Sequence, residues 1–153
     1  MTIRTIEALL EEHPFFEGMK EKDVACVAGC ASNVHFHARQ VLFNQQDPAD
    51  HFYIIKSGKI AIDMTSSDRG VVTIETLAEG KVLGWSWLFP PYEWQYSARA
   101  LEETSAIAMD ARCLRGKCED DPALGYELMK RFSAIMLRRM QRARMQILDV
   151  YRP

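Results

Sequence analysis

Between Asn33 and Ala111 the sequence is built from short runs with a period of two: NVHFH, QVLFNQ, HFYIIKS, KIAIDMT, VVTIETL, QYSARAL and SAIAMDA. Each is rich in β-branched or aromatic residues and bounded by turn clusters such as Asp47-Pro48, Ser57-Gly58, Ser67-Asp68-Arg69-Gly70 and Glu79-Gly80. Seven or eight strands at this spacing, with no helices between most of them, exclude a parallel sheet and leave an antiparallel roll or sandwich. The flanks change period. Residues 1–32 carry two short helical patterns, Ile6, Leu9 and Leu10 before His13-Pro14, then Val24, Val27 and Ala28 within residues 21–31. From Asp121, a capping residue followed by Pro122, apolar positions recur at Leu124, Leu128, Phe132, Met136, Met140, Ala143 and Ile147 as far as Val150 or Tyr151.

The expected architecture is therefore mainly β with flanking helices: N-terminal helices over 1–32, a roll over 33–110 and C-terminal helices over 111–153, in a single domain of 153 residues. A helix of about 30 residues reaches roughly 45 Å, farther than a small roll can cover, so part of its seam is expected to meet a second copy of the chain. The same helix concentrates positive charge. Residues 126–153 hold seven Lys/Arg against two acids, inside a chain of net charge −2. Those cations read as a solvated polar face. No stretch of 18 apolar residues occurs and the start is acidic and amphipathic, so a cytoplasmic protein with no membrane span is expected.

Residues 82–100, VLGWSWLFPPYEWQYSARA, set the functional question, because three tryptophans, two tyrosines and a Pro-Pro pair are crowded into one loop and strand. Such a cassette suits a stacking site for a flat ligand, or a packed plug or protein-docking surface, and the last two are favoured. Pro90-Pro91 removes two amide donors that an anion would want. Ser86 and Ser97 read as local caps, and Arg99, the one cation of the cassette, points with Ser97 and Leu101 away from Ala98 and Ala100. It is expected to form an ion pair with Glu102 or Glu93.

The order of motifs resembles the cyclic-nucleotide-binding domain of the catabolite-activator and FNR type. HPFFEGM is similar to that family's opening segment, RQVLFNQQDPADHFYIIKSGKIAI to its first hairpin, and SARALEETSAIAMDARCLR to its exit strands. The resemblance implies an antiparallel double-stranded β-helix, or jelly roll. It also implies where a ligand would sit: after the cassette glycine, Gly84, a glutamate should hold the ribose hydroxyl, and about ten residues later an arginine should hold the cyclic phosphate. Here those positions are Trp85 and either Trp94 or Gln95. Losing two charged hydrogen bonds removes roughly 3 to 6 kcal/mol, about a hundred- to ten-thousand-fold in affinity. Gly84, Trp85, Ser86, Trp94, Gln95, Ser97 and Arg99 thus form a degenerate ligand cassette, expected to take no cofactor. The alternative is a sensor of a cyclic nucleotide or other flat anion that uses the aromatics and Arg99.

Regulatory family members that bind DNA carry a helix-turn-helix after the long helix. The chain stops at Pro153, so no DNA binding is expected, and the resemblance implies a protein partner, with a redox enzyme as the candidate. Neither a nucleophile-base-acid arrangement nor a Gly-rich phosphate loop is present, so no enzyme is expected. Cys26, Cys30, Cys113 and Cys118 are read as thiols. With His35 and His37 they match no ligand spacing, so no metal site is expected; a thiol switch through Cys26 and Cys30 is a minor alternative.

Overall fold

In the computed structural model, which describes residues 5–151, four α-helices and eight strands run in the expected order, the short strand Val82–Leu83 being one that the sequence runs did not name. Residues 1–4, Arg152, which was counted in the basic C-terminal element, and Pro153 lie outside the described residues. Helix α1 (Ile6–Glu12) starts where the Thr5 hydroxyl accepts from the Ala8 amide and stops at His13, before Pro14. A 3-10 turn over Pro14–Phe16 leads to α2 (Glu21–Ala28), which buries Val24 and Val27. Eight strands follow: β1 (Ala31–Phe36), β2 (Val41–Phe43), β3 (His51–Ser57), β4 (Lys59–Ser66), β5 (Gly70–Ala78), β6 (Val82–Leu83), β7 (Ser97–Ala100) and β8 (Thr104–Asp110). They form two four-stranded antiparallel sheets, ordered β1-β8-β3-β6 and β2-β7-β4-β5. This is the jelly roll.

One core lies between the sheets and under the helices. After α3 (Ala111–Asp120), helix α4 (Pro122–Val150) begins with the Asp121 carboxylate accepting from the Leu124 amide and Pro122 in the first turn. It is one continuous helix of 29 residues. Its first half buries Leu124, Leu128, Phe132 and Ile135, and Phe132 makes edge contacts with Phe15, Phe52 and Trp87 at centroid distances of 4.9, 5.0 and 5.5 Å. These four rings join the N-terminal turn, the roll, the cassette and α4, which is how α4 comes to lie over the site. Among the described residues, no helix is long and apolar enough to cross a membrane.

Two expectations about cysteine fail. Helix α2 ends at Ala28, which leaves Cys26 inside it and Cys30 beyond it, and Cys113 and Cys118 both lie within α3. Cys30 and Cys113 form a disulfide across 83 residues, because the register that pairs Ala31 with Met109 carries the start of β1 to the start of α3. Neither four free thiols nor a Cys26–Cys30 pair survives. Cys26 and Cys118 remain as free, partly buried thiols, and burial pushes the Cys118 thiol up.

Candidate functional site

Gly84 sits at φ +101°, a conformation that L side chains rarely adopt, and a Cβ placed there would lie 2.6 Å from Cζ3 of Trp94. Trp94 therefore occupies the space directly over the cassette glycine. Its ring stacks on Phe43 at 3.6 Å with an interplanar angle of 7°, and the residue is 2% exposed. The Trp94 amide donates to Asp47 O at 2.9 Å, and the Gln46 amide donates to Trp94 O at 2.8 Å, so the hairpin loop after β2 clamps it on both sides. Trp87, wholly buried, stacks over Phe52 at 5.2 Å, and its indole N–H has no partner. The outer loop is tied down from α3: Arg115 lies over the Tyr92 ring at 4.4 Å and donates to Trp87 O at 2.8 Å. Two of the three tryptophans are core. The cassette exposes Phe89, Pro90 and Pro91, with a cis peptide between the prolines, and beyond them Glu93 and Gln95.

The seven cassette residues do not converge. Gly84 meets Trp94, and Trp85 meets the Arg139 guanidinium at 4.8 Å from its ring centroid. Ser86 is buried, Gln95 donates to Glu93 O at 3.1 Å, and the Ser97 hydroxyl accepts from the Gln45 amide at 2.9 Å. Arg99 corrects the expectation most clearly. Its Nε donates to Asp63 at 2.7 Å and its Nη2 to the Thr73 hydroxyl at 3.3 Å, so its partner is neither Glu102 nor Glu93. Asp63 is almost fully buried at an irregularity in β4 and takes a second bond from Thr73 at 2.7 Å, so the guanidinium neutralises a carboxylate that would otherwise be costly to bury. Arg99 is tied to the sheet, with its charge paired to that of Asp63.

A second group of cations comes mainly from α4. A cleft of about 500 Å³ between the 3-10 turn, the β5–β6 turn and α4 is lined by Lys81, Arg131, Arg138, Arg139 and Arg142, with Glu75 the one acid among its lining residues. Two of these guanidiniums are fixed in place. Arg131 donates to Phe15 O and pairs with Glu127 at 2.9 Å, and Arg139 donates to Val82 O and lies 3.7 Å from Glu75. Both are about one-sixth exposed, against the reading of a solvated face. Beside Arg139 the Tyr96 hydroxyl is buried with no hydrogen-bond partner of good geometry; burial pushes its pKa up to about 12, with Arg139 opposing the rise. The signal for this cleft was present in the sequence, since Arg131, Arg138 and Arg142 recur on one helical face.

The sequence profile of the cyclic nucleotide-binding domain matches residues 33–121, from β1 to the end of α3. The chain belongs to that family. Among curated relatives, the CRP-like cAMP-activated global transcriptional regulator of Mycobacterium tuberculosis is 24% identical over 145 residues, covering 95% of this chain. The chain spans 63% of that relative's length. Among solved structures, a cyclic nucleotide-binding domain from Methylobacillus flagellatus superposes with a TM-score of 0.80 at 17% identity, over 97% of this chain and 84% of its own. The catabolite activator protein of Thermus thermophilus gives 0.69 at 23%, over 90% and 62%. Both share the jelly roll of the family.

Proposed function

We propose that this is a non-enzymatic regulatory domain of the cyclic nucleotide-binding family whose cassette is occupied by its own side chain, and which acts by pairing with a second copy and docking on a protein partner. The observation that carries this reading is Trp94, stacked on Phe43 and seated against Gly84. It supports the reading because a bound nucleotide would have to displace a buried indole. Neither Trp85 nor Gln95 offers the carboxylate or cation that would repay that cost. Calorimetry with cAMP and cGMP is expected to give no saturable heat in the micromolar range; a low-micromolar dissociation constant for either would overturn the proposal.

The partner surface consists of the exposed Phe89, Pro90 and Pro91 together with the free half of α4, where Leu137, Met140, Ile147 and Tyr151 are exposed at 3-4 spacing. A second reading is favoured by the arginine cleft: a sensor of a small anion held by Arg138, Arg139 and Arg142 rather than by Arg99. Thermal melting with nucleotides and inorganic polyphosphate separates the two. A ligand that raises the melting temperature of the parent chain but not of Arg138→Ala/Arg142→Ala selects the sensor.

A further inference from the structure

His35 lies in β1 and His37 is the residue just past its end, while Glu103 immediately precedes β8, the strand paired with β1. The register sets His35 opposite Ser105 and Phe36 opposite Thr104, which carries the Glu103 carboxylate between the two imidazoles. His35 Nε2 lies 2.5 Å from Glu103 Oε2 and His37 Nδ1 3.3 Å from the same oxygen. The rings stand edge to face with centroids 5.3 Å apart. One donor atom from each residue lies within 4.8 Å of the other two.

The backbone under these groups is held rigidly. The His37 amide donates to Gln40 Oε1 at 3.0 Å, and His35 Nδ1 faces the Ser105 hydroxyl at 3.4 Å, which leaves Nε2 toward Glu103. The buried Thr104 hydroxyl donates to Glu102 O at 2.8 Å, and Gly58, at φ +100°, packs so closely that a Cβ there would meet Glu103 O at 2.6 Å. None of this is part of the cassette or the arginine cleft, and none of the cysteines takes part.

The geometry points to a divalent-metal site made of His35, His37 and Glu103, selective for a borderline ion such as Zn²⁺. Two imidazole nitrogens and one carboxylate oxygen are the donor set that such ions prefer. Tetrahedral coordination at about 2.0–2.1 Å places donors roughly 3.3 Å apart, within the span these three already have. An ion there displaces the proton shared between imidazole and carboxylate. It fixes the edge strand β1 to β8 and leaves coordination open to water.

Zn²⁺ titrated into the metal-free full chain by calorimetry is expected to bind at one equivalent that His35→Ala/His37→Ala loses. Glu103→Gln should weaken the same equivalent by at least about tenfold, and His13→Ala/His51→Ala, which changes the other two histidines, should leave it intact. Co²⁺ in its place should show visible d–d bands without the near-ultraviolet charge transfer of a thiolate. An unchanged isotherm in His35→Ala/His37→Ala, or a cobalt spectrum with thiolate charge transfer as its only signal, would overturn the site. All three side chains are exposed, so the variants should fold, as parent-like melting without metal would verify.

Discussion

Trp94 and Gly84 show how one side chain decides the fate of a cavity. The glycine is required twice, by its positive φ and by the indole pressed against it. Gly84→Ala should therefore cost about 2–4 kcal/mol in urea unfolding, the sum of a left-handed backbone penalty and overpacking. A loss under about 0.5 kcal/mol would mean that the indole does not sit there. Tyr96 makes a different prediction. Its phenol titrates near 10 in the unfolded chain and near 12 in the folded one, so the folded form retains the proton longer. The associated stability is complete below pH 10 and is lost as pH rises through 12, by about 2–3 kcal/mol. Tyr96→Phe should flatten that alkaline decline and change neutral stability little, because it removes a hydroxyl that has no good partner; an unchanged decline would assign it to another group, such as Tyr53, whose phenol burial also raises. The aromatic crowding of the cassette could be read from the sequence alone, whereas the partner of Arg99 could not. Asp63 lies within the run KIAIDMT, and an irregularity between Ile62 and Asp63 alters its pairing with β5 in a way alternation does not foresee.

At the level of elements, the strands were legible because a half-buried sheet imposes a period of two on its own sequence. Helix α4 was legible as a helix, yet not in the allocation of its charges. Periodicity says which residues share a face but not what that face meets, so Arg131 and Arg139 read as solvated although Arg131 lies against the N-terminal turn and Arg139 against the roll. The free half of α4 is where pairing is to be tested. Leu137→Glu/Ile147→Glu puts two charges into the proposed seam at side chains that the single chain leaves about half exposed. Sedimentation at tens of micromolar is expected to give a dimer for the parent and a folded monomer for the variant. A parent that sediments as a monomer would remove pairing from the proposed function.

For the whole molecule, the motifs from HPFFEGM to the exit strands located the roll, and the family match over residues 33–121 agrees with them. The disulfide was out of reach from sequence because four cysteines at uneven spacing allow several pairings, and only the packing of α3 beside β1 selects one. Its placement has a topological consequence. Cys30 precedes the first strand and Cys113 follows the last, so the covalent link closes the entire barrel into a loop. A protease that cuts once at an exposed turn, such as the one around Asp68, would leave two fragments that migrate as a single species on a denaturing gel until a reductant is added. Separation without reductant would show the loop to be open.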